Sequence, residues 1–231
     1  MKALALDTAI SCITIAAKND DYSASLALDI GMRQSEKLLP AIDYVLKQAD
    51  LSPADLDYTV LAEGPGSFTG LRLGFAALKA IELFGNNIPL YAINTLDAYA
   101  WPYIDFDGTI LPVIDAHKDK FYAKAFLDKK EILNCDDWDL RVLEEKLLQA
   151  RSAAGKILVC GPEAKAFIDA CKENNLFGQN QLLAARGRSI NLESLFVLAE
   201  EKISSGQPPL ADYDGPQYYR ASEAEQNLPS A

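Results

Sequence analysis

The sequence predicts an α/β protein, a mixed β-sheet with helices packed on it, followed by a second and looser lobe of the same kind. Three observations carry this. Three short strand-like runs open the chain with only turn residues between them. Two helices, one amphipathic and one nearly all apolar, then alternate with two further strands. From Thr109 onward, strand and helix patterns alternate again. The 231 residues are 49% hydrophobic and 24% charged, an ordinary globular balance that rules out disorder or a fibrous repeat. The length fits one large domain or two lobes of roughly 100 residues each.

Lys2–Leu6 is apolar and closes at Asp7-Thr8. Cys12–Ala17 is rich in Ile and Thr, and Tyr22–Leu28 alternates polar with apolar. Leu38, Leu39, Ile42, Val45, Leu46 and Ala49 share an arc of about 120° on a helix, one buried face. Pro40 lies within that pattern, so the helix either starts near Leu39 or kinks there. Ser52-Pro53 begins a turn, and Tyr58–Ala62 is an apolar strand. A glycine-rich loop then opens a second helix that runs to about Phe84, where Gly85-Asn86-Asn87 stops it; Ile88–Ile93 is the next strand.

In the second half, Thr109–Ile114 and Phe121–Phe126 flank Asp115-Ala116-His117-Lys118-Asp119-Lys120. A helix over Leu140–Ala150 precedes a strand at Ile157–Cys160, and Glu163–Asn174 and Ile190–Ser205 are further helices. Pro102 and Gly108 bracket the join, dividing residues 1–102 from 103–231, with the last helix and the Pro- and Gly-rich tail free to pack back on the first lobe. Two β-rich lobes with covering helices also suit a distant duplication.

The second helix is too apolar for one-sided burial. Arg72, Lys79 and Glu82 lie within about 80° of one another, and Leu73, Ala76, Ala77, Leu78, Ala80, Ile81, Leu83 and Phe84 fill the rest. A helix with its back in water shows an apolar stripe of only about 100° or somewhat more. The excess needs a cover, either another helix of the chain or a partner subunit.

The formal net charge of −11 argues against a broad nucleic-acid footprint, which needs clustered Lys and Arg, and against an anionic membrane surface. No run approaches 18 apolar residues, and the opening segment meets Asp7 too early for a secretory apolar region. Cys12, Cys135, Cys160 and Cys171 are widely spaced and read as reduced thiols, so the expectation is a cytoplasmic protein. One histidine, His117, excludes metal sites built on two or three, and it reads as a surface or satisfied side chain. Asp7, Asp115 and Asp119 have the chemistry for a hydrated magnesium ion, but nothing in the sequence brings them together. Gly64, Gly66 and Gly70 follow a strand and open a helix, where amide groups favour an anion. Their G-x-G-x-x-x-G spacing is neither a dinucleotide fingerprint nor a Walker loop, and glycines in a tight turn explain it as well.

The string Gly64-Pro65-Gly66-Ser67-Phe68-Thr69-Gly70-Leu71-Arg72 resembles the signature of the bacterial TsaB family, also called YeaZ. Leu4-Ala5-Leu6-Asp7-Thr8, Ser35-Glu36-Lys37-Leu38-Leu39-Pro40, Asn94-Thr95-Leu96, Asp115-Ala116 and Pro216-Gln217-Tyr218-Tyr219-Arg220 resemble further landmarks, so the likeness spans nearly the whole chain. It departs from the family at His117-Lys118, where two arginines are common, and at Gln34, where a histidine is common.

The resemblance implies a two-lobe actin-like ATPase and sugar-kinase (ASKHA) fold, with mixed sheets covered by helices. It also implies a role in making N6-threonylcarbamoyladenosine (t6A) at position 37 of tRNA. The expected role is that of a non-catalytic subunit that binds and supports a TsaD-like catalytic subunit, not an active peptidase. A TsaE-like ATPase joins the complex, and tRNA is met only indirectly. This chain alone is expected to bind no cofactor, with ATP or ADP a matter for the complex. Association is expected through the first-lobe helices, at Leu38, Leu39, Ile42, Leu73, Ala77, Leu78, Ile81, Leu83 and Phe84, and the same surface is expected to form a homodimer when the partner is absent. The alternative is an ATP-dependent kinase or ATPase of the same fold, with Asp7-Thr8 and the glycine loop used for phosphates; the family-motif loop comprises Gly64, Pro65, Gly66, Ser67, Phe68, Thr69, Gly70 and Arg72.

Overall fold

The structure is a computed structural model, and it describes residues 1–219 except Asp21, 85–86, 152–154 and Gln179. The helix stop expected at Gly85-Asn86, and Arg220 of the terminal motif, lie outside the described residues.

The first sheet contains β1 (Ala3–Asp7), β2 (Cys12–Asn19), β3 (Tyr22–Asp29), β4 (Tyr58–Ala62) and β5 (Leu90–Ile93), in the order β3-β2-β1-β4-β5. Tight turns make β1, β2 and β3 antiparallel neighbours, whereas β4 and β5 arrive through helices and lie parallel to β1. The second sheet contains β6 (Thr109–His117), β7 (Lys120–Leu127), β8 (Lys130–Asp139), β9 (Lys156–Cys160) and β10 (Gln181–Ala184), in the order β10-β9-β6-β7-β8. Its pairing repeats the first: three antiparallel strands, then two parallel ones. The two sheets therefore have one topology used twice.

Helices α1 (Gln34–Gln48) and α2 (Phe68–Phe84) cover the outer face of the first sheet. Helices α3 (Thr95–Ala100) and α6 (Leu192–Ser204) fill the space between the sheets, and α4 (Leu140–Ala150) and α5 (Ala164–Glu173) cover the far face of the second. Strand alternation sets the layers. In β1, Leu4 and Leu6 point to α1 and α2, while Ala3 and Ala5 face α6. The alanines give α6 room to sit close to the sheet.

Helix α1 begins at Gln34 and passes through Pro40 rather than starting beside it. Proline leaves the Glu36 carbonyl without its helical donor. Both residues are on the exposed side of the helix. The chain beyond α6 returns to the first lobe, where the Leu210 amide donates to the Leu90 carbonyl at 2.8 Å along β5. No helix of the described residues is long and apolar enough to cross a membrane.

Candidate docking face and glycine loop

The glycine loop links β4 to α2 and is closed by the chain itself. The Ser67 amide donates to the Ala9 carbonyl at 2.7 Å. A methyl group on Gly70 would stand 2.1 Å from the Thr8 carbonyl oxygen, and one on Gly74 would stand 2.4 Å from Thr8 Oγ1. Only glycine lets α2 settle onto the β1–β2 turn this closely. Gln34, buried at the start of α1, donates from Nε2 to the Ile10 carbonyl at 2.5 Å and ties α1 to the same turn.

Asp7 and Thr8, expected to face a phosphate, are both buried, Thr8 in this contact. Asp7 Oδ1 accepts the Ala9 amide at 2.8 Å, and its Oδ2 is buried without a hydrogen-bond partner. Burial pushes the Asp7 carboxyl up to about 7, and the Ala9 amide only partly opposes that rise. Neither side chain reaches the surface in this structure, and Thr8 occupies the space beside Gly70 and Gly74.

The expected association residues divide into three groups. Leu38, Ile42, Ala77 and Leu78 are buried in the outer core of the first lobe, so they hold α1 and α2 to the sheet and to each other. Leu73 and Ile81 are half-buried. Leu39 (62% exposed), Leu83 (72%) and Phe84 (89%) project outward. The outward side of α2 runs through Thr69, Arg72, Leu73, Ala76, Ala80, Leu83 and Phe84, and Arg72 is its one charged member. Of the three charged residues, Arg72 is exposed while Lys79 and Glu82 are largely covered. Lys79 donates from Nζ to the Ala211 carbonyl of the returning tail at 2.9 Å, and it also pairs with Glu82 at 3.0 Å. What α2 shows outward is therefore mostly apolar.

At the N-terminal end of this face, the Arg72 guanidinium lies 4.0 Å above the Phe68 ring, and its Nε donates to the Tyr218 hydroxyl at 2.9 Å. The Phe68 and Tyr218 rings stack with centroids 4.9 Å apart. Sequence reasoning places Phe68 and Arg72 in the loop but misses Tyr218 beside them, because their separation along the chain hides the contact.

Residues near the lobe junction form a second polar region. Glu63, Asn94, Asp97, Glu201 and Lys202 line a cavity of about 440 Å³. Burial pushes the Glu63 and Asp97 carboxyls up. Lys124 bridges Asp97 at 2.6 Å and Glu131 at 2.7 Å, and for Asp97 that ion pair opposes the rise. His117 is exposed in the β6–β7 hairpin, with Nδ1 3.2 Å from Asp115 Oδ2, and the tight turn holds it, Lys118 and Asp119 at positive φ. No three His, Cys, Asp or Glu side chains among the described residues are placed to share a metal ion. The four cysteines are free, with Cys160 and Cys171 buried.

The duplicated sheet topology, with helices between and outside the sheets, defines a two-lobe α/β protein of the actin-like ATPase and sugar-kinase class. YeaZ from Pseudomonas aeruginosa superposes with a TM-score of 0.72 at 19% identity, over 94% of this chain and 99% of that one. By sequence the chain is 31% identical over 156 residues to the tRNA threonylcarbamoyladenosine biosynthesis protein TsaB of Bacillus subtilis, covering 63% of this chain and 67% of that protein. It is 26% identical to TsaB of Escherichia coli over 99% of both. The family model described as TsaD, tRNA N6-adenosine threonylcarbamoyltransferase, matches residues 31–138. The chain belongs to the TsaB family.

Proposed function

We propose that this protein takes part in threonylcarbamoyladenosine biosynthesis as a docking subunit for a TsaD-like catalytic subunit. The TsaB relatives support the pathway. The outward apolar side of α2 carries the docking reading: Leu83 and Phe84 stand in water on a helix whose remaining outward residues are small or apolar apart from Thr69 and Arg72. Burying each of those two large side chains against a partner contributes about 1.5–3 kcal/mol. Leu39 on α1 extends the same apolar character beyond α2.

On this reading the chain performs no bond-making of its own. ATP or ADP and a TsaE-like ATPase belong to the assembled complex, tRNA is met through the other subunits, and the compartment is the cytoplasm. Two copies compete for the same face when the catalytic partner is absent. The test is size-exclusion chromatography with the TsaD-like protein of the same organism, followed by t6A formation in the reconstituted system. Leu83→Glu should prevent co-elution and suppress modification while the chain stays folded. A Leu83→Glu protein that co-elutes and supports modification as the wild type does would refute the docking reading.

A further inference from the structure

We infer that the C-terminal strap is part of the docking face: Tyr218 fixes Arg72 to receive a carboxylate from the partner. This rests on the docking role proposed above. The strap leaves α6 and is fastened at successive points. Leu210 pairs with the Leu90 carbonyl, Ala211 accepts from Lys79, and the Gln217 amide donates to the Glu63 carbonyl at 3.0 Å. A methyl group on Gly64 would stand 2.7 Å from the Gln217 carbonyl oxygen, so the strap presses directly on the glycine loop. Next come two tyrosines with different duties. Tyr219 accepts from Asn94 Nδ2 at 2.8 Å, and its ring lies 6.4 Å from that of Tyr122, so it pegs the strap between the lobes. Tyr218 stays half-exposed and meets Phe68 and Arg72 on the outside.

The outcome is a rigid stack at one end of the apolar face of α2. Arg72 spends its Nε on Tyr218 and its ring-facing surface on Phe68. No carboxylate among the described residues pairs with it, so its terminal nitrogens remain for an acceptor outside. A guanidinium anchored through its Nε, on an exposed residue, can recognise a carboxylate in two-point fashion with its terminal nitrogens. Arg, Tyr and Phe are also residue types enriched at interface centres. The fitting partner surface is an apolar helix face bearing an Asp or Glu opposite Arg72. Tyr218 is thus a positioning residue that acts through Arg72.

Isothermal titration of the full chain with the TsaD-like protein, at low and high salt, tests this. Arg72→Gln should weaken binding about tenfold and flatten its salt dependence. Tyr218→Ala should weaken it nearly as much, and Tyr218→Phe, which keeps the ring but not the hydroxyl, by a smaller factor. The sharp readout is the double variant. If Tyr218 works through Arg72, Tyr218→Ala with Arg72→Gln binds no more weakly than Arg72→Gln alone. Additive losses, or a Tyr218→Ala affinity equal to wild type, would overturn the inference. A Leu83→Glu control separates the two ideas: lost binding there with unchanged Tyr218→Ala binding sinks the strap alone, whereas unchanged Leu83→Glu binding sinks the docking reading beneath it.

Discussion

Replacing Asp7 by asparagine should change how stability depends on pH. The carboxyl is fully buried, one oxygen serves the Ala9 amide, and the other has no partner. Burial raises its pKa from 3.8 to about 7. The folded protein therefore holds this proton more tightly than the unfolded chain does. The stabilisation is complete below pH 4, falls as pH rises from about 4 to about 7, and is gone above that. Three pH units at 1.36 kcal/mol each amount to about 4 kcal/mol. The Asp7→Asn side chain keeps an oxygen for the Ala9 amide and carries no charge at any pH. Its NH₂ meets no built acceptor, which costs about 1–3 kcal/mol. At pH 8 the variant should therefore be more stable than the wild type by about 1–3 kcal/mol. Near pH 4 the order should level or reverse. Urea unfolding followed by circular dichroism across this range measures both curves. Glu63, Asp97 and Glu163 are also raised by burial, but they contribute equally to the two proteins and cancel in the difference. Parallel curves for wild type and Asp7→Asn would refute the reasoning.

Other substitutions separate packing from docking. Leu78→Glu places a charge in the outer core and should unfold the chain or cost about 4 kcal/mol or more, whereas Leu83→Glu should leave stability within about 0.5 kcal/mol; thermal melts distinguish them. Gly70→Ala should destabilise by about 2 kcal/mol in urea titration despite the better helix propensity of alanine, because the added methyl meets the Thr8 carbonyl oxygen. His117→Ala, at an exposed hairpin position, should change neither the melting temperature nor t6A formation in the reconstituted system.

Most of the first lobe is legible because its signals are local. Short apolar or β-branched runs mark β1 and β2, alternation marks β3, and Gly64 to Gly70 punctuates the passage from β4 into α2. The elements that sequence reasoning overlooks lack such signals. Strand β8 carries Asn134-Cys135-Asp136-Asp137 where alternation would show, and β7 pairs with it through register shifts that accommodate the irregular run. Helix α3 and strand β10 are too short to display a period.

The orientation of α2 illustrates a deeper limit. Its composition shows correctly that one arc exceeds what a single sheet can cover, but projection alone takes charge as the mark of the solvent side. Here Lys79 and Glu82 sit under a strap more than a hundred residues away, so the charges serve an intramolecular contact and the apolar arc is left outward. Leu38 and Ile42 read as a buried face in the sequence, and the fold buries them together with Leu78 in the outer core. A helical wheel ranks positions by angle, but it takes the tertiary neighbours to say which angle meets water. Asp7 shows the converse. Its acidic side chain beside a glycine loop suggests a phosphate, yet Gly70 and Gly74 admit Thr8, while alternation along β1 buries the carboxylate on the face shared with Ala3 and Ala5. The same glycines that look like a ligand cradle in the sequence act in the fold as the seat of α2, and by fixing α2 they fix the outward direction of Leu83 and Phe84.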